Sequence, residues 1–312
     1  VLAFEKGPDG VGHRVFKEGV ASLSLFNPSF SVNGALFLRR IFSKGTKLLL
    51  LLRPCEIRAV GELVKLTQIE KESIIPVSVD CFGALSSKDA EGDSVPEDWK
   101  EMEAFLASSG RLRPACADCR ERRGSVGSAG IRVGSEGGIW VSAYDSAGEE
   151  FLSLFPQEAA DMPAAMAVQE NPAKEKLQTT LEAFQKDMSK CILCMNCRDM
   201  CPVCYCIDCV FNGEDYLPKG DALLNKIYRA GPSSLPQGKE LFHFIRMFHV
   251  SQVCVGCGAC EEACPQGLPL TRYFKGISER LQALFGYKAG RTPNEPIPYL
   301  TFLEDELKDA AD

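Results

Sequence analysis

The cysteines of this chain are grouped rather than scattered. Eleven of the fifteen lie between Cys191 and Cys264. Within that stretch the pattern Cys-x2-Cys-x2-Cys-x3-Cys-Pro occurs twice, beginning at Cys191 (the first motif) and at Cys254 (the second motif). Thiolates at this spacing are typical ligands of 4Fe-4S clusters. The repeat therefore predicts two such clusters.

In two-cluster proteins of this kind, the fourth cysteine of each run binds the cube of the other run. The first cluster is assigned Cys191, Cys194, Cys197 and Cys264. The second cluster is assigned Cys254, Cys257, Cys260 and Cys201. Zinc is the alternative, but zinc sites pair Cys-x2-Cys units across longer gaps and give the proline no role. Gly256 and Gly258 would let the backbone approach the second cube closely.

Charged residues lie inside both motifs. Arg198 and Asp199 belong to the first, and Glu261 and Glu262 to the second. Negative charge near a cluster disfavours adding an electron. We therefore predict a lower reduction potential for the second cluster, unless water screens both glutamates.

Three extra cysteines, Cys204, Cys206 and Cys209, follow the first motif directly. A two-cluster ferredoxin needs no thiols here. They are possible additional ligands, which would bind another cluster together with a cysteine of the N-terminal domain. Alternatively, they are buried thiols that pack against the cluster-binding region.

The four remaining cysteines precede both motifs. Cys55 and Cys81 each come just after an apolar run that is typical of a buried strand. The carboxyl ends of neighbouring parallel strands form the usual ligand crevice of an α/β sheet, and Cys116-x2-Cys119 could close it. Cys55, Cys81, Cys116 and Cys119 therefore suit a third 4Fe-4S cluster, with structural zinc or free thiols as alternatives.

The elements around these N-terminal cysteines predict an α/β domain over residues 1–155 with a partly parallel sheet. Strands are expected at Lys47–Leu52 and Ile74–Val79, joined by a helix with Ile57, Val60 and Leu63 on its apolar side. A helix is also expected over Asn33–Phe42. Short helix and strand segments follow, at Trp99–Leu106, Ile131–Val133 and Ile139–Ala143.

The rest of the chain predicts a linker at 156–172 and a mostly helical domain over 173–312 that contains the two motifs as a ferredoxin-like module. Helices are expected at Ala173–Lys190, Ala222–Arg229, Lys239–His249 and Thr271–Phe285, followed by a solvated acidic tail from Leu303. The fold class is therefore α+β or α/β with a 2x(4Fe-4S) ferredoxin-like unit.

Composition limits the partners. The formal net charge of -7 argues against nucleic acid, which needs clustered lysine and arginine. The longest apolar run, Leu48–Leu52, is far shorter than the ~20 residues of a transmembrane helix. We expect no secretory signal, reduced thiols and a cytoplasmic location.

Several motifs together resemble the β subunits of coenzyme F-420-reducing hydrogenases and F-420-dependent formate dehydrogenases. They are Leu51–Val60, Val79–Gly83, Cys116–Cys119, Cys191–Cys209 and Arg246–His249. The resemblance covers nearly the whole chain. It implies a subunit of a larger redox complex, whose partners are hydrogenase, formate dehydrogenase or heterodisulfide-reductase-like proteins.

The resemblance also implies FAD as the link between a two-electron carrier and one-electron clusters. The sequence lacks a G-x-G-x-x-G segment after a strand, so no FAD-binding residues are assigned. The first hypothesis is therefore an electron relay. The second is a flavin-containing subunit that itself oxidises or reduces coenzyme F-420 or NAD(P)H. The third is a binding module with structural zinc in its N-terminal domain.

Overall fold

A computed structural model describes residues 1–7, 10–17, 23–26, 28–30, 32–41, 47–86, 96, 98–134, 138–156, 180–213, 220–231 and 238–302. Three sequence predictions fall outside these ranges: almost all of the linker at 156–172, the first part of the helix over 173–190, and the acidic tail from Leu303. The domain boundaries at 155 and 173 therefore remain predictions.

A six-stranded mixed sheet organises the N-terminal half. Its strands are β1 (Leu2–Gly7), β2 (Gly10–Val15), β4 (Leu48–Leu52), β5 (Ile74–Val79), β7 (Ala129–Val133) and β8 (Ile139–Ala143), in the spatial order β2-β1-β4-β5-β7-β8. The inner pairs β1/β4, β4/β5 and β5/β7 are parallel. The edge pairs β1/β2 and β7/β8 are antiparallel. Two short strands, β3 (Ser29–Phe30) and β6 (Leu85–Ser86), pair separately.

Helices α1 (Gly34–Ile41), α2 (Pro54–Lys65), α3 (Trp99–Ser108), α4 (Pro114–Ala117) and α5 (Ser146–Leu152) accompany this sheet. Helix α2 is the crossover between β4 and β5. Pro54 occupies its first turn, where a missing N–H costs nothing. The Glu56 carboxylate accepts the Arg53 N–H at 3.0 Å and the Gly34 N–H at 2.9 Å, which fixes the start of α2 against α1.

Helices dominate the C-terminal half. They are α6 (Leu181–Met188), α7 (Asn196–Asp199), α8 (Gly220–Ala230), α9 (Lys239–Val250), α10 (Ala259–Glu262) and α11 (Leu270–Leu284). Between Ser189 and Gly213 the only regular elements are the four residues of α7 and one turn of 3-10 helix at Val210–Asn212. The extra cysteines therefore lie in irregular chain, as does most of the first motif.

One continuous hydrophobic core joins the two halves. It includes Leu50 and Ile57 from the sheet side and Phe242, Leu270 and Tyr273 from the helical side. Helix α2 adds polar contacts across the same boundary. The Arg58 guanidinium donates to the carbonyl oxygens of Ala289 at 2.8 Å and Val255 at 3.3 Å.

The Glu62 carboxylate of α2 also reaches the C-terminal half. It accepts hydrogen bonds from the Tyr287 hydroxyl and the Gly290 N–H, both at 2.6 Å. Helix α2 therefore links the sheet, through these hydrogen bonds, to the segment that follows α11.

The mixed α/β sheet with helices later in the chain confirms the predicted fold class. The unit β4–α2–β5 was expected, as were α9, α11 and the β7/β8 strands, with boundaries differing by a few residues. The β1/β2 hairpin was not expected. No helix among the described residues combines the length and apolarity needed to span a bilayer.

Candidate metal centres

The structure brings the four thiols assigned to the first cluster together. Cys191, Cys197 and Cys264 are buried and Cys194 is exposed. Burial raises the pKa of Cys197 to about 11, and the thiols of Cys191, Cys264 and Cys194 lie close enough to raise it further. Buried thiols of this kind remain protonated unless a metal displaces the proton.

The thiols assigned to the second cluster also form one group. Burial raises the pKa of Cys260, and Cys254 and Cys257 are close enough to contribute. The pKa of Cys201 is raised first by a hydrogen bond with Cys204, then by burial, and Cys260 also contributes. Cys201 therefore sits beside the second motif, although it follows the first motif in sequence.

The two motif loops share one backbone conformation. Leu193 and Met195 have φ angles of 52° and 62°, and the equivalent residues Gly256 and Gly258 have 70° and 71°. Glycine adopts this left-handed region without strain, whereas leucine and methionine do so at a cost. Both loops therefore curl in the same way around their cysteines. Such strain tends to persist where function requires it.

Cys55 lies in the first turn of α2, just after β4, and Cys81 follows the end of β5, while Cys116 belongs to α4. Burial raises the pKa of Cys81 to about 11, and Cys116 and Cys119 add to this effect. Burial likewise raises the pKa of Cys55, with Cys257 and Cys81 among its neighbours.

These three thiol groups lie in a row. Cys55 of the N-terminal group neighbours Cys257 of the second group. Cys260 of the second group neighbours Cys197 of the first group. The second group is therefore in the middle, because it has a neighbouring thiol in each of the other two.

Arginines surround the row. Arg246 on α9 is 1% exposed, and it donates to the Cys197 Sγ at 3.0 Å and to the Cys197 carbonyl at 2.9 Å. Arg113 lies 3.9 Å from the Cys116 Sγ and donates to the Cys257 carbonyl at 3.1 Å. Arg58, close to Cys254, lowers the pKa that burial raises. These positive charges compensate thiolates in the row.

Arg246 was not assigned a role from the motif spacing. The spacing of the residues around Arg246 is a weak indication that its side chain is buried. Phe242, Arg246 and Val250 recur at i, i+4 and i+8 on α9, and all three are buried. A single charge on an otherwise buried helix face needs a partner. His243 on the same helix lies 3.4 Å from the Cys191 Sγ, and burial, followed by Arg246, lowers its pKa to about 4.

The glutamates of the second motif are not simply solvated. Glu262 pairs with Arg113 at 3.3 Å, and its side chain is 8% exposed. It also accepts the Ser86 hydroxyl at 2.8 Å. Glu261 accepts the Thr271 N–H at 2.7 Å at the start of α11.

The extra cysteines line a cavity of about 690 Å³ beside the first motif. Arg198, Arg246 and His249 also line it. The Cys209 Sγ lies 3.8 Å from Arg198 Nη1. The N-terminal cysteines are not among the described residues that line this cavity, and the ligand shared with the N-terminal domain stays a prediction.

Within the described parts of the chain, no three His, Cys, Asp or Glu side chains converge closely enough to surround a single metal ion. A 4Fe-4S cube holds its four thiolates farther apart than one zinc ion does. Three sets of four thiols, with N–H groups directed at several sulfurs, suit clusters of this kind.

Comparison with known proteins agrees with this chemistry. The family model described as a 4Fe-4S binding domain matches residues 184–203 and 250–268. These two segments contain the first and second motifs.

Three curated proteins are similar over longer stretches. The β subunit of F420-dependent formate dehydrogenase from Methanocaldococcus jannaschii is 24% identical, over 76% of this chain and 72% of that protein. The β subunit of F420-dependent formate dehydrogenase 1 from Methanococcus maripaludis is 25% identical, over 82% and 76%. The β subunit of sulfhydrogenase 2 from Pyrococcus furiosus is 26% identical, over 48% and 52%.

Proposed function

We infer that this chain, which is similar to the β subunits of F420-dependent formate dehydrogenases, acts as an iron–sulfur electron-transfer subunit of a multisubunit redox enzyme. The observation that carries this inference is the row of three thiol groups. Cys55 neighbours Cys257, and Cys260 neighbours Cys197. Electrons can pass from centre to centre along a row of closely spaced one-electron centres, so such a row acts as a relay.

The residues of the chain supply three things. Twelve cysteine thiols would hold three clusters: the first and second through the two motifs, and the third through the N-terminal cysteines. Each 4Fe-4S cluster, when bound, takes up or releases one electron. Arg246, Arg113 and Arg58 offset the thiolate charge, and the hydrophobic core around Cys191, Cys197 and Cys264 limits the access of water.

The relatives named for F420 favour a second function, in which this subunit itself reacts with F420 through a bound flavin. With either function, the partners would be formate dehydrogenase, hydrogenase or heterodisulfide-reductase-like subunits of a cytoplasmic complex. We prefer the relay, because the chain has no flavin-binding motif of the G-x-G-x-x-G kind.

A zinc-binding module is the weakest alternative. One structural zinc needs four ligands around a single point. Among the described residues no such group of three or more occurs, at the N-terminal cysteines or elsewhere.

The N-terminal cluster is tested by the double substitution Cys116→Ala/Cys119→Ala. We expect anaerobically purified protein to lose about four iron atoms per chain and one set of electron paramagnetic resonance (EPR) signals. Asp118→Asn changes the exposed residue between these cysteines and leaves every thiol in place, so it should keep the iron of the wild type. Unchanged iron in the double variant contradicts the third cluster.

Flavin released on denaturing the same anaerobic protein separates the two functions. A relay subunit releases none. About one flavin per chain would establish the second function, and reduction by F420 or NAD(P)H would then be measured.

A further inference from the structure

The 690 Å³ cavity beside the first motif has a thiol-rich wall that the row of three groups does not use. Cys204, Cys206 and Cys209 all line it, within one irregular stretch of six residues. Cys206 is exposed and the other two are half-buried. Cavities of roughly 300–1,000 Å³ are large enough for a small ligand or cofactor.

Positive charge faces these thiols from two sides. Arg246 comes from α9, and the nearby Cys204 helps to raise its pKa, opposing the effect of burial. Arg198 comes from α7, with its Nη1 atom 3.8 Å from the Cys209 Sγ. Asp199 pairs with Arg198 at 2.7 Å. The two charges cancel, so this pair adds no net positive charge.

Arg246 also carries an unused donor. Its Nη atoms serve Cys197, whereas its Nε is buried and has no hydrogen-bond partner among the described residues. A buried N–H without an acceptor costs free energy. An anionic occupant of the cavity that reaches this N–H would offset that cost.

The occupant has to be something that three thiolates can hold. A single metal ion does not fit, because no three potential ligands in the described chain are close enough to surround one. A cluster fits better, since it spreads its ligands over several irons. No fourth cysteine lines the cavity among the described residues, so one iron would lack a thiolate.

We propose that Cys204, Cys206 and Cys209 bind a fourth iron–sulfur cluster, whose remaining iron faces the cavity. Its iron–sulfur core together with three thiolates is anionic, which matches Arg246 and Arg198. The sulfurs of Cys204 and Cys201 lie close enough to interact, which places this centre next to the second group. The cluster therefore branches from the middle of the row, and this part of the inference rests on the proposed relay.

An iron without a thiolate can bind an external ligand. The cavity wall offers His249 for this position, and an external ligand could enter from the exposed side, where Cys206 lies. The fourth centre is thus suited to exchange electrons with a small molecule or with a partner's redox group.

The test is the double substitution Cys206→Ala/Cys209→Ala in the full-length, anaerobically reconstituted chain. We expect a loss of about four iron atoms per chain, from about sixteen to about twelve. The EPR signals of the other clusters should remain. Asp208→Asn, at one of the two exposed residues between these cysteines, is the matched control and should retain all the iron. Equal iron content in the double variant and the wild type overturns the proposal.

Alkylation of the wild-type protein gives a second readout that does not depend on folding of a variant. Cys206 and Cys194 are both exposed. If both bind clusters, iodoacetamide should label both slowly before iron chelation and rapidly afterwards. Rapid labelling of Cys206 in the loaded protein, with Cys194 still protected, overturns the proposal.

The two tests are independent of the test of the proposed function. If Cys116→Ala/Cys119→Ala loses iron and Cys206→Ala/Cys209→Ala does not, the relay stands and the fourth cluster fails. If only the second double variant loses iron, the third cluster fails. A flavin that protects Cys206 from labelling without any change in iron would also overturn the fourth cluster.

Discussion

Arg246 is the residue on which the electrostatics of the row depends most. It is 1% exposed and donates to Cys197 of the first group, and it is also near Cys201 and Cys260 of the second group. Burying an unpaired guanidinium is very costly. Its partners here are sulfurs that become thiolates when iron binds. The charge of Arg246 therefore stabilises the more negative, reduced state of either cluster.

We expect Arg246→Gln to lower the midpoint potentials of the first and second clusters by about 60 mV, a tenfold change in a one-electron equilibrium constant. Anaerobic redox titration followed by EPR measures this shift. Arg272→Gln removes an arginine that is 45% exposed on α11 and should leave both potentials in place. Equal potentials in wild type and Arg246→Gln would refute the role of this charge.

Individual residues also show why the sequence alone does not predict the charges around each cluster. The glutamates of the second motif predicted a lower potential for the second cluster. In the structure Arg113 pairs with Glu262, and it reaches the Cys257 carbonyl across 144 positions of sequence. Arg58 reaches Val255 across 197 positions. Arg113 therefore offsets the charge of Glu262 from a distant part of the chain, and the difference between the two potentials stays a prediction.

At the scale of elements, the two motif loops pack against neighbouring elements in addition to carrying the cysteines. A Cβ atom built on Gly258 would lie 2.5 Å from the Ala115 Cβ and 2.9 Å from Arg113 Nη2. Gly258 was predicted to let the backbone approach a cube. Its visible role is to let the second motif lie against α4, which carries Cys116. This contact keeps the N-terminal and second groups adjacent.

Gly258→Ala should therefore lower the melting temperature more than Gly267→Ala does. Both residues are left-handed, with φ of 71° and 60°, so both substitutions cost about 1 kcal/mol of backbone strain. Only Gly258 has neighbours in the way, because nothing lies within 4 Å of a Cβ on Gly267. Differential scanning fluorimetry under anaerobic conditions compares the two. Equal melting temperatures would mean that α4 moves aside freely.

The elements differ in how far the sequence predicts them. The apolar run of β4, the amphipathic α2 and the next strand are local patterns, and they were predicted. The β1/β2 hairpin was not. Strand β2 (Gly10–Val15) contains two glycines, a histidine and an arginine, which weaken an alternating apolar pattern. Strand β1 joins the sheet through β4, where Leu2 pairs with Leu50, and such a non-local pairing leaves no mark in a short window of sequence.

At the scale of the whole molecule, helix α2 makes the two halves one structure. Glu62 is 0% exposed and accepts hydrogen bonds from Tyr287 and Gly290 beyond the last long helix. The core residues on both sides of this contact belong to one cluster. Unfolding of the sheet and loss of the metal-binding half are therefore coupled.

We expect Tyr287→Phe to destabilise the protein by about 1–3 kcal/mol, because it removes a donor from a buried carboxylate. The melting temperature should fall by about 2–4 °C per kcal/mol in a chain of this size. Tyr228→Phe removes a hydroxyl from a residue that is 91% exposed and should have no effect. If the two variants melt together, the contact between α2 and the C-terminal half contributes little.

Grouping of the cysteines was accessible from spacing because 4Fe-4S ligation follows a fixed local pattern. The spatial order of the three thiol groups could not be predicted from spacing. That Cys55 meets Cys257 follows from the docking of α2 and α4 against the motif loops, which sequence spacing alone does not encode. The cavity behind Cys204 likewise depends on α9 and on Tyr299, far from the extra cysteines in sequence.

The irregular stretch from Ser189 to Gly213 has a consequence for biogenesis. It places Cys191 and Cys197 in the shared core while forming almost no regular secondary structure of its own. A newly made chain can complete this part of its interior only when iron and sulfide arrive, since metal binding supplies folding free energy. Until then the segment is accessible to cellular proteases. The steady-state amount of this protein should therefore follow the capacity of the cell's cluster-assembly machinery, even at constant rates of transcription and translation.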